Sequence, residues 1–317
     1  MPARVRYDRL STERTNRRSR DLDRMSARQI AALMNREDRR VVAAVGREAA
    51  RIAAAVDVIV AAFRRRGRLF FVGAGTSGRL GVLEAAECPP TFGTPPSMVQ
   101  ALVAGGRRSV FRSREGAEDD EAAARRAVRR RVRAGDVVVG VSASGVTPFV
   151  RAALDEARRR GAETIAVACN APGGARTPAR TVVAPVPGPE VVAGSTRLKA
   201  GTATKLVLNT LTTASMVRLG KVYGNRMVDL LPRSRKLRER AVRLVGELGD
   251  VPRRRALAAL AAANGRARLA IVVARTGMSA AAAARALRES GGALRPLLES
   301  DRRKSAGARP TRRRRRR

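Results

Sequence analysis

Five short apolar runs, each ending in a turn rich in small residues, constrain this chain more than any other feature. They are Arg68–Val72, Met98–Val103, Val137–Val141, Thr164–Ala168 and Thr181–Val186, and helical stretches such as Ala117–Val132 and Pro148–Arg159 separate several of them. A strand that is apolar along its whole length must be covered on both faces, and strands alternating with helices give parallel pairing. The expected fold is therefore α/β, a three-layer parallel sheet flanked by helices. Ligands of such sheets gather at the carboxyl ends of the strands.

Helical periodicity brackets this region. From Ser26, a suitable N-cap, Ile30, Leu33, Met34, Val41, Val42 and Val45 recur at helical spacing, and a second stretch runs through Ile52, Val56, Ile59 and Phe63. A long helix is expected over about 199–219. Beyond Pro232 the chain becomes Ala-rich and helical, with breaks at Asn264-Gly265 and Gly291-Gly292. The expected organisation is an N-terminal arm and helices over 1–60, a parallel-sheet domain over 61–230, a small helical domain over 231–300 and a disordered basic tail over 301–317.

Composition narrows the chemistry. The 66 Lys and Arg outweigh 27 Asp and Glu, a formal charge of +39. The positive residues are scattered along the chain and dense only near the N-terminus and at Arg312–Arg317, which reads as compositional bias. Such a surface steers anionic metabolites inward. Aromatics at 3% with no Trp argue against a base-stacking platform, so any nucleic-acid binding is expected to be non-specific and salt-sensitive. Cys88 and Cys169 suggest no disulfide framework, no signal peptide opens the chain, and no apolar run has the length of a membrane span; a cytoplasmic location is expected. The chain contains no histidine. Proton chemistry must fall to carboxylates, Lys, Tyr or Cys, and a His-based metal or triad site is excluded.

Two loops carry the binding signal. Gly73-Ala74-Gly75-Thr76-Ser77-Gly78 follows the first strand and opens a helix. As a GxGxxG pattern it could serve a dinucleotide, but that use needs an acidic residue at the end of the next strand to hold the ribose. The second strand runs instead into Ala104-Gly105-Gly106. The hydroxyls of Thr76 and Ser77 and the amides near Gly78 at a helix start form a monophosphate cradle instead. Ser142-Ala143-Ser144-Gly145-Val146-Thr147-Pro148 repeats the arrangement after the third strand, with Pro148 suited to a first helical turn. Ser142, Ser144 and Thr147 are thus candidate ligands of a phosphate or of sugar hydroxyls, the pattern of the sugar-isomerase domain.

Acidic residues lie nearby. Glu84 and Glu87 stand one turn apart on the helix leaving the first loop, which Pro89-Pro90 is expected to end. Glu115, Glu118, Asp119 and Asp120 gather at a second helix start, where the helix dipole favours them whatever their role.

GAGTSGRLGVLEAAECPP at 73–90 is similar to the signature of the N-acetylmuramic acid 6-phosphate etherase family. So are LSTERTNRRSRDLDRMS at 10–26, EGAED at 115–119, SASGVTPFV at 142–150, PEVVAGSTRLKAGTATKLVLN at 189–209 and KVYGNRMVDL at 221–230, in collinear order over roughly 10–300. The resemblance implies removal of a D-lactyl ether from C3 of a 6-phosphorylated amino sugar by elimination and hydration, without metal or cofactor. It implies Glu87 and Glu118 as the catalytic pair, Glu87 protonating the departing oxygen, and leaves open which takes the C2 proton. It places Glu190, Ser195, Thr196 and Lys199 in a segment closing over the sugar, and implies a homodimer. Four positions depart from the family pattern: Glu84 for Asp, Val146 for a basic residue, Phe149 for Tyr and Arg226 for an apolar residue. The rival reading is a non-catalytic phosphosugar sensor on the same fold, which would need no acid/base pair.

Overall fold

The computed structural model describes residues 10–170, 177–229 and 234–299. The 301–317 tail, including Arg312–Arg317, lies outside the described residues.

Short 3-10 turns at Arg17–Ser19 and Leu22–Arg24 lead into α1 (Ala27–Gly46). Ser26 caps this helix in a reciprocal box with Gln29, which satisfies two amides that the helix start leaves without partners. Helix α2 (Ala49–Arg64) precedes β1 (Leu69–Gly73), and α3 (Gly75–Phe92) leaves it. Then follow β2 (Val99–Val103), the short α4 (Arg108–Phe111), α5 (Glu121–Arg131), β3 (Val137–Val141), α6 (Pro148–Arg159), β4 (Glu163–Val167), β5 (Thr181–Val183) and α7 (Lys199–Arg218). The first five strands make one parallel sheet in the order β2-β1-β3-β4-β5. Side chains alternate across it. Phe70, Val72, Leu102 and Val138 pack on one face under α5 and α6, with Val150 and Leu154 of α6 filling the layer.

The Pro89-Pro90 pair does not end α3, contrary to the sequence expectation; the helix continues one turn to Phe92. Proline removes an amide and crowds the preceding turn, yet Gly93, at φ +62°, closes this last turn by donating its amide to the Pro89 carbonyl.

The chain divides into two compact units, Met1–Cys88 with Pro95–Ser215, and Pro89–Thr94 with Met216–Arg317. The second contains the two-stranded β6 (Val222–Tyr223) and β7 (Arg226–Met227), then α8 (Arg235–Gly249), α9 (Arg253–Ala262), α10 (Ala267–Thr276) and α11 (Ala280–Glu289). Its core joins Val228, Val245, Leu260, Ile271 and Leu294. Among the described residues no single helix is long and apolar enough to cross a membrane.

Candidate functional site

The strand order reverses between β1 and β3, and a parallel sheet opens a crevice at such a point, between loops that leave its carboxyl edge in opposite directions. Here Gly73 is in register with Val141 on one side and with Val103 on the other. The 74–78 and 142–147 loops therefore leave the sheet side by side, as the two hydroxyl motifs require, and the segment carrying Glu118 leaves from the adjoining strand end.

The first loop is held tight by two glycines. A Cβ on Gly78 would stand 2.6 Å from the Gly73 carbonyl oxygen, and one on Gly73 would stand 2.7 Å from the Gly78 nitrogen. Only glycine allows this approach of strand end to helix start. Gly75 opens α3, so the first-turn amides around Thr76 and Ser77 have no intrahelical acceptor. Thr76 and Ser77 are half-buried.

In the second loop Ser142 Oγ lies 2.8 Å from Thr147 Oγ1 and 3.3 Å from Ser144 Oγ, and accepts from the Gly145 amide at 3.0 Å. Ser144 Oγ accepts from the Val146 amide at 3.3 Å. Gly145, at φ +77°, turns the loop back so that Thr147 and Pro148 begin α6. Three hydroxyls thus converge at a helix start.

Asn170 organises this loop, and sequence reasoning did not single it out. Its Nδ2 donates to the carbonyls of Ala143 and Ser144, each at 3.1 Å. Its Oδ1 accepts from the Ser11 amide at 2.7 Å, the Ser11 hydroxyl at 2.6 Å and the Thr12 amide at 3.3 Å. One buried amide side chain therefore ties the N-terminal arm to the serine loop. The only sequence signal was that LSTERTN fell within the family resemblance. Arg79 was missed likewise; it donates to the carbonyls of Val110 and Ser109 at 2.7 and 3.0 Å and to Ser113 Oγ at 3.2 Å, fixing the stretch before the acidic turn.

Glu118 sits exposed in a 3-10 turn, Ala117–Asp119, entered through Gly116 at φ +69°. Beside it a cavity of about 610 Å³ is lined by Gly105, Arg114, Glu115, Ala117 and Phe149. Glu87 is exposed on α3, twelve residues after Gly75. At 1.5 Å per residue that is about 18 Å along the helix from Gly75 and about 15 Å from Ser77, the last hydroxyl of the first loop. Glu84, one turn before Glu87, is buried. Lys205 and Thr212 each donate to it at 2.7 Å, and Lys205 is also closely bonded to Asn209. It is spent on structure.

The closing segment divides. Ser195 and Thr196 are half-buried before α7. Glu190 is buried, and its carboxylate accepts from the amides of Lys199 and Ala200 at 3.0 and 2.9 Å, capping α7. Burial pushes its carboxyl above the usual range despite those donors. Lys199 is wholly buried and its Nζ donates to Glu37 Oε2 at 2.6 Å. In this conformation Glu190 caps α7 and Lys199 is bonded to Glu37. Of the family departures, Val146 and Phe149 are buried, and Arg226 pairs with Glu247 at 3.1 Å.

Neither thiol is available for proton or nucleophilic chemistry. Burial pushes Cys88 up to about 12, helped by the charges of Glu84 and Glu87. Burial also raises Cys169 to about 12. A buried thiol held protonated at neutral pH is inert.

Residues 51–158 match the family model described as the glucokinase regulatory protein N-terminal SIS domain. The phosphoheptose isomerase of Neisseria gonorrhoeae aligns with 59% of this chain and 98% of its own at 19% identity, with a TM-score of 0.46. The N-acetylmuramic acid 6-phosphate etherase of Synechocystis sp. is 46% identical over 95% of this chain and 99% of its own length. That of Gloeobacter violaceus is 52% identical over 92% of this chain and 95% of its own. At these identities over nearly the whole length, the chain belongs to the N-acetylmuramic acid 6-phosphate etherase family.

Proposed function

We propose that this chain is a carbon–oxygen lyase that cleaves the D-lactyl ether of N-acetylmuramic acid 6-phosphate, giving N-acetylglucosamine 6-phosphate and D-lactate, in the cytoplasmic recycling of cell-wall amino sugar. The observation that carries the reading is identity of about one half to etherases along nearly the whole chain. The match to the glucokinase regulator model covers only 51–158 and leaves out α7 and the helical unit. A pure sensor would also have no use for Glu87 and Glu118.

In this reading the amides of the 74–78 loop, with Thr76 and Ser77, and the hydroxyls of Ser142, Ser144 and Thr147 hold the phosphate and orient the sugar. The ring-opened aldehyde acidifies the C2 proton. One glutamate removes it while the other protonates the C3 ether oxygen as the C3–O bond breaks. Water then adds at C3 of the unsaturated aldehyde, the same groups returning the protons. Each acid/base step of this kind is worth about 10²–10⁴ in rate. Glu190 and Lys199 act at one remove, setting the start of α7 under the Ser195 turn.

Glu118 stands at the carboxyl edge with the hydroxyl loops, whereas about 15 Å of helix separates Glu87 from Ser77 of the first loop. A single hexosamine phosphate does not span that distance. We infer a homodimer in which Glu87 of one copy completes the site built on the loops of the other.

The deciding experiment incubates the full chain with N-acetylmuramic acid 6-phosphate and assays D-lactate. Stoichiometric release of lactate is expected. Tight binding of the phosphosugar with no lactate released would establish the sensor reading instead.

A further inference from the structure

The segment that carries Glu118 has little of its own to hold it. From Phe111 to Glu118 every residue except Ala117 is exposed. A stretch with so few buried contacts opens easily unless something ties it down. An acid/base group, by contrast, must be held closely in place, because small misplacements cost rate. Two ties are present.

The first is Arg79. The four-residue α4 leaves carbonyls at its end without intrahelical donors. The Arg79 guanidinium takes two of them, Val110 through Nε at 2.7 Å and Ser109 through Nη2 at 3.0 Å, and Nη2 also reaches Ser113 Oγ at 3.2 Å. A planar fork with donors at fixed angles meets all three acceptors, which a lysine ammonium does not.

The second is Gly105, just past the end of β2. At φ +76° it lets Ser109 and Ala117 close over it, and a Cβ there would stand 2.2 Å from Ser109 Oγ and 3.3 Å from the Ala117 Cβ. Ser109 Oγ is buried without a hydrogen-bond partner, so that side chain is held by packing while Arg79 holds its carbonyl. Ala117, resting on the same glycine, is the residue before Glu118. Beyond Glu118, Asp120 accepts from the Ala123 amide at 2.8 Å and joins the turn to α5.

Arg79 follows Ser77 by two residues on α3. One helical turn thus carries both the first hydroxyl loop and the tie to the Glu118 segment. We propose that Arg79 is a positioning residue for the reaction, setting the spacing between a phosphate seated at Ser77 and the carboxyl of Glu118. It acts through the Ser109–Ala117 contact and touches neither the phosphate nor the reacting carbons. This role rests on the reading of Glu118 as an acid/base group.

Lactate release by the full chain tests it, with kcat and KM for N-acetylmuramic acid 6-phosphate and inhibition by N-acetylglucosamine 6-phosphate. Arg79→Met should lower kcat about 10²-fold while KM and the inhibition constant stay within about threefold. Arg79→Lys, with a single donor group, should fall between the two, and it carries the same comparison if Arg79→Met folds poorly. In the Glu118→Gln background Arg79→Met should add less than about twofold, because nothing is left to position. Unchanged kcat, losses that add to those of Glu118→Gln, or an inhibition constant raised as much as by Ser77→Ala would each overturn the proposal and leave the glutamate reading standing. Near-normal turnover by Glu118→Gln would overturn both together.

Discussion

Lys199 Nζ donates to Glu37 Oε2 at 2.6 Å with both side chains wholly shielded from solvent. The pair joins residues 162 apart in sequence, the first turn of α7 and the middle of α1. Around it Asn16 Nδ2 donates to the same carboxylate at 2.8 Å and Arg18 to its other oxygen at 3.1 Å. Burial alone would raise the Glu37 carboxyl, but hydrogen bonds from Lys199, Asn16 and Arg18 and the charge of Lys199 outweigh it. They hold it near 2 rather than its ordinary 4.5. The N-terminal arm, α1 and the segment beside the site are thereby one polar cluster.

Breaking the pair on one side should therefore be severe. Glu37→Gln leaves the buried Lys199 charge unmatched, and Lys199→Met leaves buried Glu37 with only the solvent-facing guanidinium groups of Arg18 and Arg40, so each should cost about 3–5 kcal/mol. The double variant should recover much of that loss. Urea unfolding of all four proteins gives the coupling directly, and additive losses would show that the two groups do not depend on each other.

The depressed carboxyl also fixes the sign of a pH effect. A group whose folded pKa lies below its unfolded value contributes stability above the unfolded value and loses it as protonation proceeds. Glu37 should thus support the fold fully above about pH 5 and progressively less as pH falls from 4.5 toward 2. Unfolding free energy measured across that window should fall more steeply in the natural protein than in Glu37→Gln. Parallel slopes would rule the cluster out as the acid-sensitive element.

Asn170 gives a finer test of the serine loop. Asn170→Ala strands the buried Thr12 amide and releases the carbonyls of Ala143 and Ser144, so KM should rise about tenfold or more while kcat changes less. Asn170→Asp keeps the acceptor for Ser11 and Thr12 but removes the donor. It should hold the arm yet still raise KM. A loss in melting temperature with no change in KM in either variant would reduce Asn170 to a purely structural tie.

These two networks mark where sequence reading stops. The apolar runs gave strands to within a residue or two at most ends, and Pro148–Arg159 formed the expected helix, because those signals are local. The Gly73–Gly78 loop was legible for the same reason: strand end, turn and helix start are contiguous. Strand order was not, since nothing in β1 names β3 as its neighbour. Nor did any local pattern show that Lys199 would pair with Glu37, or that Asn170 would bridge to Ser11. Long-range polar pairs carry no periodicity. Pro89-Pro90 misled for the opposite reason: a strong local breaker was overridden by one turn closed through Gly93.

The shared-site reading makes a mixing prediction. Glu87→Gln and Ser142→Ala/Ser144→Ala are each expected to be nearly inactive. Co-refolded at equal ratio, they should regain up to about a quarter of normal lactate release, because half the dimers are mixed and one of their two sites combines an intact Glu87 with intact loops. If Glu87 served the loops of its own chain, the mixture would stay as inactive as its parts.

The chemistry itself is decided by isotope placement. Elimination followed by hydration breaks the bond between C3 and the ether oxygen. Turnover in heavy-oxygen water should then place label on C3 of the amino-sugar product and leave the lactate hydroxyl unlabelled. Displacement at the lactyl carbon would give the reverse. Glu87→Gln and Glu118→Gln keep shape and hydrogen bonding but cannot exchange a proton, so each should slow lactate release by about 10²–10⁴ with binding preserved. Both side chains are exposed and neither anchors the core, so loss of activity through unfolding is not expected. Exchange of the C2 hydrogen with solvent separates their roles. The variant that still exchanges C2 but releases no lactate lacks the acid, and the variant that does neither lacks the base. Label in the lactate, or near-normal turnover in both variants, would remove the two-glutamate mechanism.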